Sequence, residues 1–241
     1  MVSKKARGVL TKKGPFQLAV CHFLEQNIGP DKLYSLGFGF PNKRAFKVGL
    51  KQHLYCPVDK IIEASWPPTS PLEQQSFTIE EINTKSTDLT SALIEIDALW
   101  QSMKEDATDV AIGYRDSNWI KHRYIEKPFA DYLLYFIREN TAQGLLILKQ
   151  HPNSEMELLD IIGSRNQTHN LINAAKSIAT SKNCKRIYAW CTPSALSWFK
   201  ESEPTIKETD IIIPGNNVNN SDHALRVKGK WWLLGGDTDF R

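Results

Sequence analysis

Arg7-Gly8-Val9-Leu10-Thr11-Lys12-Lys13-Gly14-Pro15-Phe16 is a basic, glycine-bearing stretch that runs straight into a helical pattern. Backbone N–H groups at a helix start lack intrahelical partners and carry partial positive charge, so such a junction suits phosphate. Lys12 and Lys13 beside it add charge-assisted donors. Pro15 fits the first helical position, where a missing N–H costs nothing. The spacing is neither GxxxxGK[ST] nor GxGxxG, so neither nucleotide loop is present. An anion site and a plain solvated basic loop both fit these residues.

Outward from this junction the pattern predicts a helix over residues 15–27. Phe16, Ala19, Val20, Phe23 and Leu24 mark its apolar face, and Gly29-Pro30 ends it. Residues 33–40 read as a buried strand whose glycines bring something close to the backbone. A basic helix over 43–52 and a strand or strand pair over 54–66 follow. Asn42 stands at the end of the first strand, where it either meets a ligand amide or caps the next helix. Pro67-Pro68-Thr69-Ser70-Pro71 opens a polar linker that runs to residue 90.

Beyond the linker come a helix over 92–104 and a short helical segment over 117–124. Strands follow over 132–138, 144–149 and 156–162. Then come a helix over 168–180, a strand over 186–190, a helix over 194–201, and strands over 210–213 and 230–234. Leu171, Ile172, Ala175, Ile178 and Ala179 share one face of the helix at 168–180. The order helix, strand, helix, strand thus occurs twice. Residues 216–221 read as a surface hairpin loop.

Composition narrows the class. Among 241 residues, 41% are hydrophobic and 24% charged, which excludes disordered and fibrous chains. No apolar run reaches the roughly 18 residues that span a bilayer, and no secretory signal opens the chain. A cytoplasmic protein is expected. Cys21, Cys56, Cys184 and Cys191 form no CxxC pair and read as buried reduced thiols. No histidine spacing suggests a metal site. Net charge is only +3, although Lys4, Lys5, Arg7, Lys12 and Lys13 all precede the first acid, Glu25.

The element order and the stretch 7–16, followed by Gly37-Phe38-Gly39-Phe40-Pro41-Asn42, resemble the GNAT acyltransferase fold from its phosphate-binding motif onward. The ending Trp231-Trp232-Leu233-Leu234-Gly235-Gly236-Asp237-Thr238-Asp239-Phe240, and Trp119 with Arg123-Tyr124, resemble a subgroup of bacterial tandem-GNAT proteins. That subgroup is associated with cell-surface polysaccharide or envelope biosynthesis. The resemblance implies an α/β protein of two GNAT-like mixed-sheet lobes. Residues 1–66 would be the end of a first lobe incomplete at its N-terminus, 67–90 a linker and 91–241 the second lobe. The missing strands would amount to about 60–80 residues, and their absence would invite self-association.

The resemblance also implies acetyl-CoA or another acyl-CoA as cofactor. The backbone over 12–16 would cradle the pyrophosphate, with Arg7, Lys12, Lys13, Gly14 and Phe16 around it. Asn42 would meet the pantetheine arm. An amine then attacks the thioester directly, with a base for the amine and an acid for the thiolate. The acid is often a tyrosine seven residues after the asparagine, where this chain has Gly49; Tyr55 is the substitute it offers. The loop 163–168 lacks the glycines that pyrophosphate needs, so the second lobe reads as non-binding.

Asp237 is a candidate base, and with Asp239 a candidate grip for a cationic substrate; a solvated turn fits them too. Trp119, Arg123, Tyr124 and Trp232 are candidate substrate residues, although most tryptophans belong in a core. The implied function is an acyl-CoA-dependent N-acyltransferase acting on a small amine acceptor, an amino-sugar or envelope precursor. Two alternatives stand beside it: a non-catalytic or aminoacyl-transferring relative, and a basic nucleic-acid-binding module. The small net charge and the lack of a basic-aromatic motif count against the last.

Overall fold

A computed structural model describes residues 14–29, 31–69, 77–86, 88–128, 131–216 and 223–238. In chain order its elements are α1 (Pro15–Asn27), α2 (Lys43–Lys51), β1 (Tyr55–Trp66), β2 (Thr78–Glu81), α3 (Thr90–Asp106), β3 (Ala111–Ile112), α4 (Ser117–Ile120), β4 (Leu133–Arg138), β5 (Ala142–His151), β6 (Glu155–Gly163), α5 (Thr168–Ser181), β7 (Arg186–Cys191), α6 (Pro193–Leu196), β8 (Thr205–Asn216), α7 (His223–Arg226) and β9 (Trp231–Trp232). A π-helical turn over Lys121–Ile125 continues α4, and 3₁₀ turns cover Ser197–Ser202 and Gly235–Asp237. The mixed α/β class expected from the sequence is the one observed.

The chain divides into two compact units, Met1–Ile61 with Asp210–Gly229, and Ile62–Thr209 with Lys230–Arg241. Both units are discontinuous, which differs from the expected division around a linker at 67–90. Strand pairing is the reason. The second half of β1, from Ile62 to Trp66, lies antiparallel to β7 and so belongs with the larger unit. The expected linker also contains β2, an exposed strand paired to β4. Its charged residues hid it from a hydrophobicity reading, and charges on an edge strand deter pairing with other chains. Arg138 of β4 bridges Glu80 of β2 and Glu95 of α3.

The main sheet has the order β2-β4-β5-β6-β7-β1-β8, of which β2, β4, β5, β6, β7 and the second half of β1 fall in the larger unit. Neighbours are antiparallel from β2 to β6, whereas β6 and β7 run parallel. That parallel pairing covers only Glu155–Glu157 against Arg186–Tyr188. Past it the strands separate, and Leu234 bridges to Cys191 instead. Ile96, Leu99, Trp100 and Met103 form the buried face of α3 at i, i+3, i+4 and i+7 spacing. All five apolar residues expected on the inner face of α5 are buried. Both helices pack into one core with the strands.

In the smaller unit α1 buries Leu24 and packs Val20, Cys21 and Ile28 around it. The expected apolar face is therefore rotated: Ala19 and Phe23 are exposed. The strand expected over 33–40 is absent. In its place are single bridges from Tyr34 to Ile28 and from Phe38 to Gly215. Leu33 is 77% exposed, so this apolar run is not a buried strand. A close backbone approach does occur at Gly37, whose N–H donates to Asn216 Oδ1 at 2.6 Å. Asn216 is accordingly buried rather than part of a surface loop. Cys184 and Cys191 are buried thiols and Cys21 and Cys56 partly buried ones; burial pushes the Cys191 thiol up to about 12.

Candidate functional site

In the smaller unit α1, α2 and the start of β1 enclose a pocket of about 370 Å³. Val20, Ala45, Val48 and Leu54 give it apolar walls; Asn42, Arg44, Gln52 and Tyr55 supply the polar groups. The sequence builds this directly. Asn42 caps α2, its Oδ1 accepting from Ala45 N–H at 2.9 Å, which fixes the residue at the helix start. Gly49 leaves room on the inner face of α2. A Cβ there would lie 2.1 Å from Cδ2 of Tyr55, so the tyrosine ring fills the space that a side chain at 49 would take. Asn42 and Tyr55, the arm-binding and acid candidates that the resemblance implied, line one pocket.

Gly14 caps α1 with an extended backbone, φ −72° and ψ 154°, and the first turn of α1 carries no acidic residue. Arg7, Lys12 and Lys13 lie outside the described residues. So does the Phe16 side chain, although its backbone is in α1.

The larger unit gathers a second group. Arg115 is fully buried and donates from Nε to Asp160 Oδ1 at 2.9 Å, from Nη2 to Asp237 Oδ2 at 2.5 Å and from Nη1 to Gly113 O at 2.9 Å. Its guanidinium lies 4.8 Å from the Trp232 ring centroid and 5.6 Å from that of Trp119. Tyr124 Oη donates to Asp160 Oδ2 at 3.2 Å, and its ring packs edge-on against Trp119 and Tyr132. Arg123 Nε donates to Gly236 O at 3.0 Å, and its Nη2 donates to Thr238 O. Thr192 Oγ1 donates to Trp231 O and accepts from Leu233 N–H.

Trp119, Arg123, Tyr124, Trp232 and Asp237 lie close together in the larger unit. Their partners include Arg115, Asp160 and the closing segment of the chain. Tyr124 and Trp232 are buried, and Asp237 is bound by Arg115 and by Leu234 N–H at 2.8 Å, so it is no solvated turn. The cation that Asp237 grips is the chain's own. Asp239 lies outside the described residues. The arrangement clamps residues 231–238 beside the separated strands β6 and β7.

Arg115 and Asp160 were missed in the sequence reading. Asp160 left a trace, a lone charge inside the apolar run Leu158-Leu159-Asp160-Ile161-Ile162. Burial raises the Asp160 carboxyl to about 6, the Asp237 charge adds to this, and Arg115 opposes it. From about pH 4 to 6 the folded state holds a proton on Asp160 that the unfolded state releases. Stability from this group is therefore full below about pH 4 and is lost as pH rises through 6. Compared with Asp160→Asn by thermal unfolding, the parent should lose on the order of 2 kcal/mol over that window. A pH-independent difference would sink this reading.

The loop before α5 also differs from a phosphate cradle. Ser164 Oγ and Arg165 N–H both donate to Asp106 Oδ2, at 2.6 and 2.7 Å. These donors hold the Asp106 carboxyl below its usual range. A carboxylate of the chain itself thus takes N–H and O–H groups that would otherwise face an anion. Among the described residues no cluster of three His, Cys, Asp or Glu could hold a metal. No helix among them is long and apolar enough to cross a membrane.

No protein-family model and no curated protein matches the sequence. Solved structures do match in fold. An Enterococcus faecalis V583 protein described as a "Probable N-Acyltransferase" superposes with TM-score 0.58 at 12% identity, over 88% of this chain and 51% of that one. A GCN5-related N-acetyltransferase from Anabaena variabilis gives TM-score 0.58 at 10% identity, over 89% of this chain and 52% of that one. The chain has the fold of the GCN5-related N-acetyltransferases. It spans about half the length of these two structures.

Proposed function

We propose that this chain is an acyl-CoA-dependent N-acyltransferase, or the part of one that holds the cofactor, with a small amine such as an amino-sugar or envelope precursor as acceptor. The observation that carries the proposal is the shared pocket of Asn42 and Tyr55 in the smaller unit. Its apolar walls and single capping amide suit a pantetheine arm, and the start of α1, with no side-chain cap bond and no acid in its first turn, suits the phosphates. The N-acetyltransferase fold makes the cofactor class the natural one to test.

Acyl-CoA, when bound, supplies the activated acyl group as a thioester. Gly14 and the neighbouring backbone would hold the pyrophosphate, with Arg7, Lys12 and Lys13 adding charge. Asn42 would orient the arm, and Tyr55 would give its hydroxyl proton to the departing thiolate. Asp237 takes no part, because Arg115 engages its carboxylate.

Calorimetry with CoA and acetyl-CoA tests this on the parent and on Gly14→Asp. The extended backbone at Gly14 accepts any residue, so the variant folds while placing a negative charge at the helix start. Micromolar binding by the parent, weakened about 10- to 100-fold in the variant, is expected, a shift of 1.4–2.8 kcal/mol. No binding by a folded parent overturns the proposal. Binding unaffected by Gly14→Asp moves the cofactor elsewhere.

A further inference from the structure

The charge of this protein is divided unequally. Read from the sequence, residues 1–61 contain eleven Lys and Arg against three Asp and Glu, and residues 210–229 are balanced, so the smaller unit carries +8 in a chain of net +3. The remainder is therefore acidic, at −5. The same small unit holds most of the exposed apolar bulk. Seven of the eleven large hydrophobic side chains exposed among the described residues belong to it.

The two features coincide locally. Lys43, Lys47, Leu50 and Lys51 lie at i, i+4, i+7 and i+8 on α2, one face of the helix, and all four are exposed. Between α1 and α2, Lys32, Leu33 and Tyr34 are exposed together, and α1 presents Leu18 and Phe23. Among the described residues, Asp210, itself exposed, is the acid that pairs with one of these α2 lysines, at 3.7 Å from Lys43.

We propose that the smaller unit docks onto an anionic lipid surface, with Lys43, Lys47 and Lys51 over the headgroups and Leu33, Tyr34 and Leu50 entering the headgroup–acyl boundary. Lysines beside exposed aliphatic side chains are the pairing that such an interface rewards: charge supplies attraction, and apolar insertion supplies residence. Nucleic acid would use the charge and leave Leu18, Leu33 and Leu50 in water, because aliphatic side chains offer bases no stacking face. This inference does not depend on the acyltransferase reading.

Vesicle co-sedimentation tests it, using phosphatidylcholine alone and a mixture containing about a third phosphatidylglycerol. The full chain should sediment with the mixed vesicles and much less with the neutral ones. Lys43→Glu/Lys47→Glu/Lys51→Glu should lower partitioning about 100-fold. Leu33→Ser/Leu50→Ser should lower it about 10-fold or more while leaving its salt dependence in place. All five positions are exposed, so unchanged circular dichroism is expected and serves as the folding control. No binding to anionic vesicles overturns the proposal. So does binding that neither variant weakens, or a duplex oligonucleotide that binds more tightly than the vesicles and displaces them.

Discussion

Arg115→Met should leave the larger unit unfolded or barely folded at neutral pH. Arg115 and Asp160 have no side-chain exposure, and Asp237 has 9%. Removing the guanidinium strands two carboxylates together inside a core, and an uncompensated buried charge costs about 3–5 kcal/mol. Whole-domain stability is about 5–15 kcal/mol, so this loss is a large fraction of it. The substitution also removes the cation lying 4.8 Å from the Trp232 ring centroid. Arg115→Lys should fare little better, because one ammonium cannot reach Asp160, Asp237 and the Gly113 carbonyl at once. Adding Asp160→Asn and Asp237→Asn to Arg115→Met should recover part of the loss by removing the stranded charges. Denaturant unfolding followed by circular dichroism measures all four proteins. An unfolding free energy for Arg115→Met within about 1 kcal/mol of the parent would show that the triad is not what holds this region.

Gly236→Ala should be nearly as damaging. A Cβ at 236 would fall 1.9 Å from Tyr124 Oη and 2.9 Å from the Leu159 carbonyl oxygen. The first contact cannot relax by swinging the tyrosine, because its ring is braced edge-on by Trp119 and Tyr132 and its hydroxyl is tied to Asp160. The second contact is with backbone of β6. Overpacking of this kind costs about 1–3 kcal/mol and more where backbone must shift; a loss of about 3 kcal/mol is expected here. Tyr124→Phe alone should cost about 1 kcal/mol through the hydrogen bond to Asp160. In the Gly236→Ala background it should instead restore part of the stability, since it deletes the atom at 1.9 Å and leaves the contact with the Leu159 carbonyl. Equal destabilisation by Tyr124→Phe in both backgrounds would refute the steric account.

Residues 231–238 reach the separated ends of β6 and β7 and are held there by the side chains of Arg115, Arg123 and Thr192, while Tyr124 is tied to Asp160 beside them. Of the two glycines in this segment, Gly236 is the one with no room for a side chain, because Tyr124 and the Leu159 carbonyl occupy the place of its Cβ, whereas a Cβ at Gly235 would lie 3.3 Å from Glu157 Oε1 and in ordinary contact with Leu159.

Much of the secondary structure was legible because local pattern determines it. The helix at α5 declared itself by apolar residues at helical spacing, and β4, β5 and β6 by continuous apolar runs. Asn42 was legible as a cap, and the pairing of a missing side chain at 49 with Tyr55 was at least a question the sequence could raise. The loop over 33–40 was misread because its apolar residues imitate a strand, and a strand exists only where a neighbour completes its ladder. β2 was missed for the converse reason: it is polar, and only Tyr135–Arg138 of β4 make it a strand.

What the sequence determined by itself is whatever depends on neighbours along the chain: helix starts, apolar faces, the basic α2 and the concentration of positive charge before residue 61. What only the tertiary structure decided depends on partners far apart in sequence. Asp237 lies 122 residues from Arg115, and nothing local distinguishes a carboxylate that will be solvated from one that will be buried on a guanidinium. The discontinuous units have the same origin. Backbone hydrogen bonds between β1 and β7 are chosen by the folded sheet and leave no mark on either strand alone.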